Sequence, residues 1–363
     1  MPSLVGGGAE RVFVNLANAF SRDDRYEVEF VLVKAEGIYL SELDSTVKTI
    51  DLQADGTLSS LFGLIDYLKH AEPDILLSGL AHVNLVSVFA RILCNSMKTK
   101  LFISEHNTLS LHSQQAISLK DRLLPLFAKV FYPLADGVIA VSQAVAKDLQ
   151  KVSPDALIRT IYNPILSADL FEKLSQSRQA VQENVSKDRK LILSIGRLEE
   201  VKDFSTLIKA FKLVQEKMPA ELWILGEGSE RTRLESLIQE LGLADVVRLP
   251  GFIKDLYQYL TKADLFVLSS RHEALPTALI EAIACGIPTV STDWSNSAAE
   301  LSPDRIVPVG DFEQMALAIL DSLSEPKRTT NPSLSIKRFL VEEVIPKYQK
   351  LFFCPKSAIS SAA

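Results

Sequence analysis

The sequence predicts an α/β protein made of two doubly wound, parallel-sheet domains. Strand-like apolar runs alternate with helical patterns along nearly all of the 363 residues, the pattern of βα units feeding parallel sheets. A polar stretch, 167–189, interrupts the alternation, which restarts at Lys190. The length also suits two or three domains.

The elements run in order along the chain. Gly6-Gly7-Gly8 opens a helix over Glu10–Phe20, with Val12, Leu16, Ala19 and Phe20 on one face. Apolar runs predict strands at Val28–Val33, Val47–Leu52, Asp74–Leu80, Lys100–Ser104, Gly137–Ser142 and Ile158–Tyr162. Helical patterns near 59–70, 85–93, 116–132 and 144–151 fill most of the gaps, and Asn163-Pro164 ends the series. After the polar connection, strands are predicted at Leu191–Ile195, Glu221–Leu225, Val246–Leu249, Asp264–Ser269, Thr289–Ser291 and Ile306–Val309. Helices are predicted near 204–217, 231–241, 255–262, 276–284 and 311–323, with a last amphipathic helix near 336–352. The tail Cys354–Ala363 is expected to be disordered. The domains are therefore expected at 1–168 and 169–335, with a helix at 336–353 returning to the first.

Composition narrows the function. A hydrophobic content of 47% with 23% charged residues suits a soluble globular chain. No run of eighteen uncharged apolar residues argues for a membrane-spanning helix, and no signal peptide is visible. Cys94, Cys285 and Cys354 have neither metal-ligand nor disulfide spacing. The expected location is the cytoplasm. A net charge of −6 argues against nucleic acid as the main partner.

The most informative segment is Arg271-His-Glu-Ala-Leu-Pro-Thr-Ala-Leu-Ile-Glu281. Glu273 stands at the mouth of a buried strand, and Glu281 lies in the helix that begins near Pro276, a residue favoured in the first helical turn. Between them the helix N-terminus offers free N–H groups to a phosphate. Hydroxyl-binding carboxylates beside a phosphate site suit a sugar nucleotide. Alone, two such carboxylates are more often ordinary helix-end charges. The segment, however, runs on through Ala282-Ile-Ala-Cys-Gly-Ile-Pro-Thr-Val-Ser-Thr-Asp293. The whole block resembles the donor-binding signature of family 4 retaining glycosyltransferases.

That resemblance implies the GT-B architecture, two Rossmann-like domains facing across a cleft, with ligands at the C-terminal ends of the strands. It also implies roles. Gly196 and Arg197 end a strand and Lys202 comes soon after, which is similar to a diphosphate clamp in which two fixed cations stabilise the leaving group in place of a metal. Gly226 and Glu227, with Phe252 after the next strand, fall in the base and ribose surroundings. Leu275, Pro276 and Thr277 lie against the donor, Glu273 against its sugar and Glu281 against its ribose. Gly7 and Gly8, in Gly-Gly-Ala-Glu-Arg, resemble the acceptor-side loop of the same family and are counted with the donor-binding residues, since glycines there let a phosphate or sugar approach the backbone and the helix N-terminus adds anion affinity. His106, in Ser-Glu-His-Asn, matches a histidine that donates to a sugar hydroxyl or to the transferring phosphate. The expected catalytic set is His106, Arg197, Lys202 and Glu273.

The resemblance implies transfer of a hexose or N-acetylhexosamine from a UDP-sugar to a glycan or lipid-linked acceptor, as in polysaccharide or lipopolysaccharide biosynthesis. No cofactor or metal is expected, and the absence of any D-x-D triplet agrees with that. The stretch 119–132 mixes apolar residues with Lys120, Arg122 and Lys129, which suits either an ordinary helix or a contact with a membrane surface. Four departures stand out. Met1–Val5 is too short for the central first strand of the family, so that strand is expected to be missing. Ala274 replaces a glycine, Ser297-Ala298 replaces Gly-Pro, and the turn before Val307 is shortened. These keep open a weakened or inactive nucleotide-sugar-binding relative, and a GT-B-fold epimerase is a further alternative.

Overall fold

The computed structural model describes residues 1–95, 98–116, 118–167, 188–253, 255–294, 298–301, 303–325 and 334–353. The interdomain connection and the C-terminal tail lie outside these residues, as does Ser297. In chain order the first elements are α1 (Gly8–Ser21), β1 (Glu29–Leu32), β2 (Lys48–Asp51), α2 (Ser60–Ala71), β3 (Ile75–Gly79), α3 (Ala81–Leu93), β4 (Lys100–Glu105), α4 (Leu109–Gln115), α5 (Leu119–Phe131), β5 (Gly137–Ala140), α6 (Gln143–Val152) and β6 (Ile158–Thr160). Then come β7 (Lys190–Ile195), α7 (Phe204–Gln215), β8 (Ala220–Leu225), α8 (Arg231–Glu240), β9 (Val247–Gly251), α9 (Tyr257–Leu260), β10 (Leu265–Leu268), α10 (Thr277–Ala284), β11 (Thr289–Thr292), β12 (Arg305–Val307), α11 (Phe312–Ser324) and α12 (Val341–Phe353).

The chain forms two compact units, one of Met1–Ser167 together with the chain from Arg338 onward, the other of Ala168–Lys337. The second carries a six-stranded sheet in the order β9-β8-β7-β10-β11-β12, parallel throughout. Strands β8, β10 and β11 are buried along their whole length, as strands covered on both faces are, although only β10 is apolar throughout. Chain order reverses between β7 and β10, so their C-terminal ends border the switch point where ligands bind in such sheets.

The parallel strands of the first unit fall into two sheets, β1-β2 and β3-β4-β5-β6, and no described strand joins β1 to β3. The break is where the missing strand is expected. It is partly filled. Met1–Leu4 runs beside the end of β1: Met1 N donates to Val31 O, Val33 N to Met1 O, and Leu4 N to Glu36 O, at 2.8–3.0 Å. Leu4 is fully buried among Phe13, Val14, Phe30, Leu32 and Tyr39. The Phe13 ring lies against Gly79 at the end of β3, where a Cβ would stand 2.3 Å from it.

Several boundaries differ from expectation. The face of α1 is wider, with Phe13, Val14 and Ala17 buried and Ala19 only partly so. The helix expected near 116–132 is α5, starting at Leu119, with the unexpected short α4 before it; α3 starts at Ala81, and α9 is a single turn. The last helix begins at Val341, after a 3₁₀ segment at Leu334–Phe339. It joins the first unit, where Val344, Tyr348, Leu351 and Phe352 share a core with Val12, Leu16, Phe20 and Phe102.

Candidate active site

The loops after β7 and β8 meet backbone to backbone. Leu198 N donates to Glu227 O, and Glu230 N to Leu198 O, both at 2.8 Å. This approach requires glycine. Gly226 has φ +147°, and a Cβ there would sit 1.9 Å from Gly196 O; one on Gly228 would sit 2.4 Å from Leu198 O. The Gly-Glu-Gly triplet therefore lets the two loops close on each other, whatever else it touches.

Lys202 ends a 3₁₀ turn, Glu200–Lys202, that is pinned to the end of β10. Ser269 Oγ donates to Lys202 O at 2.8 Å, Arg271 N to Val201 O at 2.8 Å, and Arg271 Nε to Asp203 Oδ2 at 3.0 Å. The Lys202 stem passes over Gly196, 3.4 Å from where a Cβ would be. Its ammonium donates to Glu273 Oε1 at 2.6 Å, and Ser270 Oγ donates to the same oxygen at 2.6 Å. Lys202 and Glu273, distant in sequence, are thus direct partners. An ammonium has three donors, so the bond to Glu273 leaves two for an anion. Arg197 is exposed on the same loop, and no ion pair ties it among the described residues.

Helix α10 begins after Pro276, which occupies the N-cap position rather than the first turn. Leu275 and Thr277 are partly buried beside it. Glu281, one turn on, is only 3% exposed, and Tyr257 Oη lies 3.4 Å from its Oε1. Two residues read as nucleotide surroundings sit differently from a free ligand group. Glu227 is paired with Arg231 at 2.6 Å, which holds its carboxyl below the usual range. Phe252 is exposed just beyond β9.

In the first unit His106 stands beside Phe13 of α1, the helix that the glycine turn opens. The N–H groups of Gly6 and Gly7 are taken by Glu10 Oε2, at 2.8 and 3.1 Å. Glu10 thus ties down the turn that precedes the helix, while the first-turn N–H groups of Gly8 and Ala9 are not among its partners. His106 comes directly after β4, its ring 5.8 Å from that of Phe13 and its Nε2 3.1 Å from Ser104 Oγ. Burial pushes the imidazole down to about 4, so it is neutral near pH 7.

Sequence reading missed Ser270, Tyr257, Glu105 and Tyr132. The first two bind the acidic pair. Glu105 is fully buried behind His106, with burial pushing its carboxyl up to about 7. Only a carboxylate at the end of the buried run Leu101–Ser104 marks it in the sequence.

Two family descriptions match: "Glycosyltransferase Family 4" over residues 6–166, and "Glycosyl transferases group 1" over residues 175–337. The chain is 31% identical over 254 residues to an uncharacterized glycosyltransferase of Methanocaldococcus jannaschii, a match spanning 67% of this chain and 61% of that protein. It is 30% identical over 317 residues to the N-acetylgalactosamine-N,N'-diacetylbacillosaminyl-diphospho-undecaprenol 4-alpha-N-acetylgalactosaminyltransferase of Campylobacter jejuni, with 83% of this chain and 82% of that one covered. Among solved structures, Anabaena HepE in complex with UDP and glucose aligns with a TM-score of 0.77 at 20% identity, over 96% of this chain and 97% of that one.

Proposed function

Given that the chain belongs to family 4 of the glycosyltransferases, with the two parallel-sheet α/β units of the GT-B fold, we propose that it moves a hexose or N-acetylhexosamine from a UDP-sugar to a glycan on a lipid diphosphate. Anomeric configuration is retained and no metal takes part. The observation that carries this reading is the meeting of Lys202, Glu273 and Ser270 beside Gly196 and Arg197, at the switch point of the sheet.

The bond from the sugar's anomeric carbon to the diphosphate breaks, and a bond to the acceptor oxygen forms on the same face. The acceptor proton passes to the leaving diphosphate oxygen. Negative charge grows on that diphosphate as the bond breaks, and Lys202 and Arg197 stabilise it most where it is greatest. Lys202 keeps its bond to Glu273, so one residue orders both the diphosphate and the carboxylate that binds sugar hydroxyls. Glu281 receives the ribose hydroxyls. Neutral His106 donates a hydrogen bond to a sugar hydroxyl or to the transferring phosphate. The name of the C. jejuni relative, with its diphospho-undecaprenol acceptor, and the UDP and glucose held by HepE support the choice of donor and acceptor classes.

A lipid-linked acceptor brings in a membrane surface. None of the described helices is long and apolar enough to cross one. Helix α5 suits lying on one. Leu119, Leu123, Leu126, Phe127 and Val130 form a solvent-facing stripe, each between 37% and 70% exposed. At 100° per residue, Arg122 and Lys129 flank that stripe on one side and Lys120 on the other, as in helices that sit among anionic headgroups. In this reading the enzyme works at the cytoplasmic face of a membrane.

The test offers UDP-, GDP- and ADP-sugars to the purified chain and measures nucleotide release, with and without EDTA. The anomer formed on an undecaprenyl-diphosphate glycan is read by NMR. Release of UDP, unchanged by EDTA, with an α-linked product from an α-donor is the expected result. A strict need for Mn²⁺ or Mg²⁺ overturns the metal-free mechanism. UDP binding without release from any donor favours a non-catalytic relative, a reading for which the break between β1 and β3 speaks.

A further inference from the structure

The turn that carries His106 is held from beneath by a carboxylate that the reaction scheme does not use. Glu105 ends β4, fully buried. Its Oε1 accepts from the backbone N–H groups of His106 and Asn107, at 3.1 and 3.2 Å. Its Oε2 accepts from Tyr132 Oη at 2.7 Å. Tyr132 is only 1% exposed and stands in the 3₁₀ turn immediately after α5. The same strand end is braced from the other side. Ser78 Oγ donates to Asn84 Oδ1 at 2.8 Å, and Asn84 Nδ2 to Ser104 O at 2.9 Å.

We propose that Glu105 and Tyr132 are positioning residues for His106. Together they fix the His106–Asn107 turn, so that the imidazole rests between Ser104 Oγ and the Phe13 ring with Nδ1 turned to the substrate. This rests on the assignment of His106 to the reaction.

The plain alternative is that Glu105 merely satisfies two amides at a strand end. A neutral side chain would do that without the desolvation cost of a carboxylate. Two features favour the positioning role. The carboxylate spans the residue that carries the ring and the one after it, so both peptide planes flanking the ring's own Cα are fixed. Its other oxygen is bound by a rigid, buried phenol on a separate element, so the turn is referenced to the body of the unit and not to its own loop. His106 needs such a reference. Its ring makes one side-chain hydrogen bond, to Ser104, and its neighbour Asn107 is exposed. A small rotation of the turn would carry Nδ1 away from a reacting group, and misplacements of about 1 Å can cost on the order of 100-fold in rate.

The experiment is a double-mutant cycle. Tyr132→Phe, His106→Ala and the double variant are compared in UDP release from whichever UDP-sugar of the panel turns over fastest. UDP affinity is measured by calorimetry and amide exchange by NMR. Tyr132→Phe removes the buried hydroxyl that binds the Glu105 carboxyl and is expected to lower kcat by about 10-fold or more. UDP affinity should stay within about twofold, and the His106 and Asn107 amides should exchange faster while the rest of β4 does not. In the His106→Ala background, Tyr132→Phe should change kcat by less than about twofold, because its effect runs through the missing ring. Equal losses in both backgrounds, or an unchanged kcat and exchange in Tyr132→Phe, overturn the proposal. An unchanged rate in His106→Ala alone overturns the role given to His106 and is read separately. Should Tyr132→Phe not fold, Glu105→Gln passes through the same cycle, since it keeps one oxygen for the two amides and adds no volume.

Discussion

In the proposed reaction Lys202 and Glu273 are the pair on which the donor chemistry turns, and each is expected to respond differently to loss of its charge. Lys202→Ala should lower kcat by on the order of 100- to 1,000-fold, the scale for removing one preorganised charge stabiliser. Glu273→Gln keeps an oxygen for the Ser270 and Lys202 donors, removes only the carboxylate charge, and should act mainly on turnover. Glu281→Gln should instead weaken UDP, and unchanged UDP calorimetry in that variant would remove its ribose role. Glu105 carries a pH signature. Its carboxyl is raised to about 7, first by burial and then by Asp148 on α6, against the hydrogen bonds from Tyr132, Asn107 and His106. A raised acid contributes stability that is fully present below its unfolded value and is lost as pH rises through the folded one. Glu105→Gln should therefore melt higher than the parent at pH 8 and lose that advantage near pH 5. Equal shifts at both pH values would show that the carboxyl is not held in its protonated range. The spacing of Glu273 and Glu281, and that of Arg197 and Lys202, on which the proposal rests, can be read in the sequence because it is local. Tyr257 and Tyr132 could not be read there, since each reaches its partner through tertiary contact, while Ser270 stands three residues before Glu273 but a serine at that spacing carries no signal of its own.

Among the elements, the most informative is not a regular one. Met1–Leu4 carries no strand assignment, yet it lines the end of β1 and buries Leu4 completely. Leu4→Ala should destabilise the first unit by about 2–5 kcal/mol, the usual cost of a buried leucine, as read by denaturant unfolding. A cost near zero would show the segment to be dispensable. The sequence shows no regular strand pattern over Met1–Val5. It did not announce that the stub would pair with β1 or that Phe13 would take the space beside Gly79, because both depend on how α1 packs. The loops after β7 and β8 give a sharper test. Gly226→Ala places a methyl group in the Gly196 carbonyl and forces an L-residue to φ +147°, and such backbones cost about 1–3 kcal/mol before any clash. Both UDP binding and the melting temperature should fall. For α5, Leu126→Glu with Val130→Glu should abolish flotation with phosphatidylglycerol vesicles and leave UDP affinity intact. Retained flotation would assign the lipid contact elsewhere.

At the scale of the whole molecule, each unit has its own core, and the proposed nucleotide residues lie in the second. UDP at 100 times its Kd should add about 2.7 kcal/mol to the unfolding of that unit alone. Two calorimetric transitions, only one of them moved by UDP, are expected; a single transition would mean that the units melt together. The two α/β series were legible because buried parallel strands read as apolar runs, and the last helix because it is amphipathic. Its home was less visible, since amphipathicity says that a face is covered but not by what. That home sets a timetable. Tyr348 and Phe352 belong to the core built on α1, β4 and β5, yet roughly 190 residues separate Ser167 from Phe353. At the pace of translation this is roughly 10–40 s during which the first unit waits on the ribosome without its closing helix. The second unit, continuous in sequence, emerges whole and can finish first. A chain that begins with one domain therefore completes the other before it, and the apolar groove that awaits α12 is the surface a chaperone would meet in the interval.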